Sequence, residues 1–184
     1  MSYSTQNQLL LNKLMDFYGK NNNIDKILPI INGEHKVSLR LIDWFVTNYS
    51  KKHYTCYTLP EQGRTRRFKV YVDYKLKLKA YSKKRFDPFC RWDRIIIPYG
   101  EETSIQTTLG QLNFFRWALE YKIIDYIEKN LKDIEADMNS RNSSTKNRGS
   151  KNKATKTRKK RKELSVSATK SIKKEEVEII VKFD

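Results

Sequence analysis

Apolar residues fall in blocks whose spacing changes along the chain. Leu9, Leu10, Leu11, Leu14, Met15, Phe17 and Tyr18 recur at helical spacing, and the cluster Gly19-Lys20-Asn21-Asn22-Asn23 ends this first helix, which covers the core. Ser38 is placed to cap a second segment, where Leu41, Ile42, Trp44, Phe45, Val46 and Tyr49 are apolar nearly all round; this suits a buried helix, with a strand as the alternative. From Phe68 to Tyr81 the period falls to two. Phe68, Val70, Val72, Tyr74, Leu76, Leu78 and Ala80 lie on one side and Lys69, Tyr71, Asp73, Lys75, Lys77, Lys79 and Tyr81 on the other, which predicts a long strand bent near Asp73. Arg94-Ile95-Ile96-Ile97-Pro98 reads as a short buried strand stopped by proline. Thr107 or Thr108 then caps a long helix, with Leu109, Leu112, Phe115, Leu119, Ile123, Tyr126, Ile127, Leu131, Ile134 and Met138 at three- and four-residue steps. Alternation returns between Glu175 and Asp184, where Val177, Ile179, Val181 and Phe183 form a terminal strand or a strand-forming peptide.

These elements predict an α+β fold, a small and mainly antiparallel sheet covered on one face by helices. Trp44 and Phe115 are its expected core anchors. Residues 1–139 make the folded domain, 140–174 a basic disordered arm, and 175–184 the terminal strand or partner-binding peptide. The arm is expected because Arg141 to Lys162 carries eleven Lys/Arg, no acidic residue and no large apolar residue, so it has nothing to bury.

Charge sharpens this division. The formal net charge of +17 is concentrated in residues 50–94 and 140–184, each at +10, while 1–49 is near neutral at +1 and 95–139 is acidic at −4. Two basic blocks point to a polyanion, whose condensed counterions are released when phosphates are neutralised. In the first block Lys69, Lys75, Lys77 and Lys79 alternate with Tyr71 and Tyr81 on the polar side of the expected strand. They are preceded by Arg64, Arg66 and Arg67 and followed by Lys83, Lys84 and Arg85. Cations for phosphates beside rings for unpaired bases are what sequence-tolerant nucleic-acid binders present, although lysines on a strand also protect an edge from aggregation. In the second block Lys156, Arg158, Lys159, Lys160, Arg161 and Lys162 fit a polyanion patch and a nuclear-import pattern equally.

Catalytic chemistry finds little support. His53 and Cys56 stand at H-x2-C spacing with His35 and Cys90 as the other soft side chains, but nothing in the spacing brings the four together, and no metal or other cofactor is expected. A Cys–His pair would need an orienting third group that the sequence does not signal, and the six glycines form no phosphate-binding loop. Asp87 and Asp93 are read as ion-pair partners of Arg85, Arg91 or Arg94. Phe86, Phe89 and Trp92 recur every three residues around Pro88 and read as a buried turn, with Trp92 a docking residue if exposed. Two cysteines suit a reducing compartment, and the absence of a signal region or a long apolar run argues for a soluble intracellular protein with no membrane partner.

Three blocks, SLRLIDWFVTNYSKK (38–52), YKLKLKAYSKKRFDPFCRWDRI (74–95) and TTLGQLNFFRWALE (107–120), resemble an uncharacterised protein family of nucleocytoplasmic large DNA viruses, the giant viruses of the mimivirus and algal-virus kind. The resemblance implies a viral setting, in the factory or the virion, and brings no catalytic residues; the Lys156–Lys162 pattern leaves the nucleus open as well. The function expected is non-catalytic binding of DNA or RNA with low sequence specificity. The alternative is a scaffold protein of virion or factory that holds a viral protein through residues 175–184.

Overall fold

The computed structural model describes residues 3–20, 22–61, 64–90, 93–99, 103–150 and 173–176. Helix α1 (Tyr3–Tyr18) ends at Gly19, whose N–H donates to the Met15 carbonyl, and α2 (Asn23–Asn32) ends at Gly33 with φ of 78°. That left-handed cap is a conformation glycine adopts without a Cβ penalty. Ser38 caps α3 (Leu39–Trp44) by accepting from the Leu41 N–H, and the chain continues through a π-helical turn (Phe45–Tyr49) into the short α4 (Ser50–Lys52). The segment expected to be apolar all round is therefore helical, with Leu41, Ile42, Phe45 and Val46 fully buried.

The α+β class and the antiparallel pairing are borne out, with the strands divided between two sheets. Strands β1 (Cys56–Glu61) and β2 (Arg64–Lys69) form a hairpin; β3 (Arg94–Tyr99), β4 (Thr103–Thr108) and β5 (Lys173–Glu176) form a second antiparallel sheet with β4 in the middle. The strand expected to be buried and stopped by proline is corrected: β3 runs through Pro98 to Tyr99, Ile97 is buried while Ile96 is 68% exposed, and Pro98 is tolerated because β3 is an outer strand. Leu28 of α2 packs on Ile105 of β4, which fixes this sheet to the helices.

The long strand expected from Phe68 to Tyr81 is corrected: β2 stops at Lys69, and Val70–Phe86 is helix α5. The partner strand explains the switch. Lys69 pairs with Cys56, the first residue of β1, so a longer strand would have left its backbone groups unpaired on that side. A helix satisfies those groups internally, and Val70 and Tyr74, four residues apart, go into the core together. Within α5, Ser82 has φ of 62° and ψ of 168°, a kink that separates the last turn from the rest.

The single helix expected from Thr107 to Met138 is also corrected to three. Thr108 is the cap, accepting from the Gln111 N–H, and α6 runs Leu109–Glu120; Thr107 belongs to β4. Lys122, with φ of 52°, then turns the chain into α7 (Ile123–Lys129), and Asn130 precedes α8 (Leu131–Ser150). The apolar positions keep helical spacing across these breaks because all three helices bury residues in one core, among them Phe115, Ile127 and Ile134. Helix α8 passes through Asn139 and ends at Ser150; residues 151–172 and 177–184, with Lys156–Lys162 and Val177, Ile179, Val181 and Phe183, lie outside the described residues.

The core is aromatic and centres on the seam between α5 and α6. Phe86 and Phe114 each lie within 6 Å of Trp117, while Phe68 stacks on Tyr121 with ring centroids 4.5 Å apart. The Trp117 indole N–H donates to Asp73 of α5 at 2.7 Å, and Asn113 donates to the Arg85 carbonyl at 2.9 Å. Gly110 permits this approach: a Cβ there would lie 2.9 Å from the Asp87 carbonyl oxygen and 3.1 Å from that of Lys84. Phe115 is fully buried as expected, whereas Trp44 is half-buried at the rim.

Two substitutions test this arrangement by chemical denaturation. Gly110→Ala adds one methyl group against backbone and should cost about 1–3 kcal/mol, although alanine is the better helix former. Phe115→Ala should cost about 3–5 kcal/mol. A Gly110→Ala variant as stable as the parent would mean that the seam is looser than described.

Candidate nucleic-acid interface

Residues two apart on a helix point about 200° away from each other, so folding 70–86 as a helix redistributes the side chains expected to share one strand face. Lys75 and Lys79 stay together on the outward side of α5, joined by Lys83 beyond the kink. Val72 and Leu76 stand among them, 51% and 61% exposed, and with Tyr71 and Ser82 they line an open groove of about 680 Å³. Lys77 turns the other way, with its ammonium 5.9 Å from the Tyr121 ring centroid, and Tyr81 stacks on Phe86. Both are corrections to the expected face: Lys77 is drawn to an aromatic surface, and Tyr81 is committed to the core edge.

The remaining cations of the first block divide in the same way. On the hairpin, Arg67 and Lys69 project from one face and Arg66 from the other, since Arg66 pairs across from Leu59 and Arg67 from Thr58. Arg66 and Lys84 have interaction partners already, and Arg85 is bound by α1, donating to Asn7 at 2.8 Å and Gln6 at 3.2 Å. Arg64 lies opposite Glu61 in the backbone register of the hairpin. Lys75, Lys79 and Lys83, by contrast, form no ion pair among the described residues. Of the partners expected for Asp87, neither Arg85 nor Arg94 forms an ion pair with it among the described residues; Asp87 accepts from the Phe89 N–H at 2.9 Å, closing the turn that buries Phe86 and Pro88. Trp92 and Arg91 lie outside the described residues, and Arg94 donates to Gln106 at 2.9 Å.

Sequence reasoning missed two residues at the same end of the molecule. Tyr54 is 88% exposed on a left-handed turn with φ of 47°. The next residue, Thr55, accepts the Val70 N–H at 3.2 Å, so this turn is tied to the start of α5. Lys51 places its ammonium 5.7 Å from the centroid of the Tyr71 ring. The signal in the sequence was local: Tyr54 stands between a cationic pair, Lys51-Lys52, and a strand too short to bury it.

Acidic groups are gathered elsewhere. Asp137 is buried and accepts from Trp44 at 3.1 Å and from Lys52, with His53 at 4.0 Å. Burial opposes its ionisation, but the bonds from Lys52 and Trp44 and the charges of Lys52 and Arg141 outweigh it, and the carboxyl is held below its ordinary range. His35 pairs with Glu128 at 3.2 Å and accepts the Val37 N–H through Nδ1, and the His53 ring lies 4.2 Å from that of Tyr49. Asp43 behaves differently. Burial, reinforced by the Asp87 charge, pushes its carboxyl up to about 7. The same two carboxylates, after burial itself, raise the Tyr74 hydroxyl, while Cys90 is raised by burial and by Asp87.

The fold and this basic helix face belong to a small α+β viral protein of the kind that the three sequence blocks suggest. The chain is a member of a family of unknown function (DUF7197), which it matches over residues 2–184. It is 48% identical over 117 residues to "Uncharacterized protein L507" of Acanthamoeba polyphaga mimivirus, an alignment that takes in 61% of this chain and 45% of that protein. The chain thus spans just under half the length of that relative. No solved structure matches it significantly. Among the described residues no helix is long and apolar enough to cross a membrane.

The raised carboxyl of Asp43 has a pH signature. Between about pH 4, where an unfolded aspartate releases its proton, and about 7, the folded state holds more protons than the unfolded state, so stability falls as pH rises through that window. Asp43→Asn should abolish this fall, gaining roughly 1–2 kcal/mol on wild type between pH 4 and pH 8 in urea unfolding, after allowance for partial exposure. Parallel stability curves for the two proteins would show that the carboxyl is already ionised near pH 4.

Proposed function

We propose that the chain is a non-catalytic nucleic-acid-binding accessory protein of a giant virus, which grips the phosphate backbone with little sequence preference. One observation carries this reading: Lys75, Lys79 and Lys83 stand along the outward side of α5 without an ion-pair partner among the described residues. The like charges of Lys75 and Lys79, four residues apart on one helical stretch, disfavour the helix by about 0.2–0.5 kcal/mol, and a bound polyanion reverses that cost. The eight Lys/Arg of residues 151–162 add a second, sequence-independent contact. Phosphate binding of this type serves genome replication, transcription or packaging, in the viral factory or the virion. Such binding positions a protein on nucleic acid without reading its bases.

Fluorescence anisotropy of a labelled oligonucleotide across a salt series tests the reading. Replacing Lys75, Lys79 and Lys83 by Gln should lower the salt slope by about 2–3 units, while Lys77→Gln should leave it nearly unchanged. Removing residues 151–162 should weaken binding without moving the melting temperature. Binding that is absent, or insensitive to salt, would overturn the proposal.

A further inference from the structure

Phosphate contact does not account for the apolar part of the α5 surface. Val72 and Leu76 are half-exposed or more beside Lys75 and Lys79, in the lining of the groove. Exposed large apolar side chains gathered in a concave site mark a place where something apolar is received. Tyr54 makes the same point at the N-terminal end of the helix, with a ring 88% exposed. The Thr55–Val70 hydrogen bond and the Lys51–Tyr71 contact hold Tyr54 and Tyr71 on either side of a single junction. Most other tyrosines are unavailable for stacking: Tyr18 and Tyr74 are buried, and Tyr57, Tyr81, Tyr121 and Tyr126 pack against core rings.

Building on the nucleic-acid reading above, we infer that the ligand is single-stranded. Its unpaired bases lie over Tyr54 and Tyr71 and along Val72 and Leu76, while its phosphates meet Lys75, Lys79 and Lys83. The chemistry decides between strand states. A duplex keeps its bases stacked inside and offers phosphates and groove edges, so an apolar hollow beside the lysines gains nothing from it. A single strand offers bare base faces at intervals along a charged backbone, which rings interleaved with cations can hold regardless of sequence. Lys75 and Lys79, one turn apart on α5, are about 6 Å apart along the helix axis, enough to serve separate phosphates, and Lys83 follows beyond the kink at Ser82.

The test compares the full chain and its variants on a labelled 20-nucleotide single strand of mixed sequence and on the duplex of equal length, at one fixed salt concentration. The expected result is at least tenfold tighter binding of the single strand. Tyr54→Ala and Tyr71→Ala should each weaken single-strand binding by at least about fivefold and leave duplex binding unchanged, while Tyr54→Phe and Tyr71→Phe retain affinity. Should Tyr71→Ala unfold, Tyr54→Ala still decides, since so exposed a ring contributes little to the core. Equal or tighter duplex binding, or single-strand binding indifferent to Tyr54→Ala, overturns the inference. If the triple lysine change still lowers the salt slope in that case, the nucleic-acid reading survives; if no variant or salt condition alters binding, both fall.

Discussion

The close seam between α5 and α6 governs the rest of the molecule. Gly110 lets the two backbones approach, Asn113 satisfies the Arg85 carbonyl at the end of α5, and the Trp117–Asp73 hydrogen bond fixes the rotation of α5 about its own axis. Once that rotation is set, Val70 and Tyr74 must face inward, and the side of the helix that carries Lys75, Lys79, Val72 and Leu76 must face out. The character of the surface is thus decided by a buried indole and a single carboxylate. Loss of either partner would leave the other's polar atom poorly satisfied inside the seam, where unmade hydrogen bonds are costly.

The carboxylates reinforce this asymmetry through what they are used for. Asp73 is taken up by Trp117, Asp137 by Trp44 and Lys52, and Glu128 by His35 and Lys36. These three carboxylates are bound to other elements. The acidic stretch from 95 to 139 is largely α6 to α8, whose charges bind α3, α4 and the loop before Ser38 together. Lys75, Lys79 and Lys83 thus keep their charges while these three carboxylates are engaged elsewhere.

Much of the architecture was legible in the sequence. The breakers after Tyr18, the cap at Ser38 and the cap at Thr108 all rest on local chemistry, and each is found where that chemistry puts it, whereas the strand from Arg94 runs on through Pro98 to Tyr99. The segment 70–81 was misread because lysine and apolar residues alternate there while the deciding fact lies elsewhere: β1 has no residue before Cys56 to pair beyond Lys69. The breaks at Lys122 and Asn130 escaped for a related reason, since helices joined by one or two residues around a common core keep the same apolar spacing as an unbroken helix. For the candidate site, Lys75, Lys79 and Tyr71 survived the change of element. Lys77 and Tyr81 did not, because a two-residue step preserves the face of a strand and reverses that of a helix. Tyr54 carried no periodic signal, and Asp43 carried none either; its perturbation comes first from burial in the folded core and then from Asp87, distant in sequence.

The kink at Ser82 sets a limit on how this surface can change over generations. With φ of 62° and ψ of 168°, the position lies in a region that glycine enters freely and other residues enter under strain. A lineage can drift from serine to glycine there and keep the helix, the turn after it and Lys83 in place. Drift to valine or isoleucine would force the backbone back toward ordinary geometry, prolong α5 and carry Lys83 to a new bearing. The last lysine of the outward row therefore depends for its position on the smallness of its neighbour, so the history of this basic surface is written partly at a residue that bears no charge.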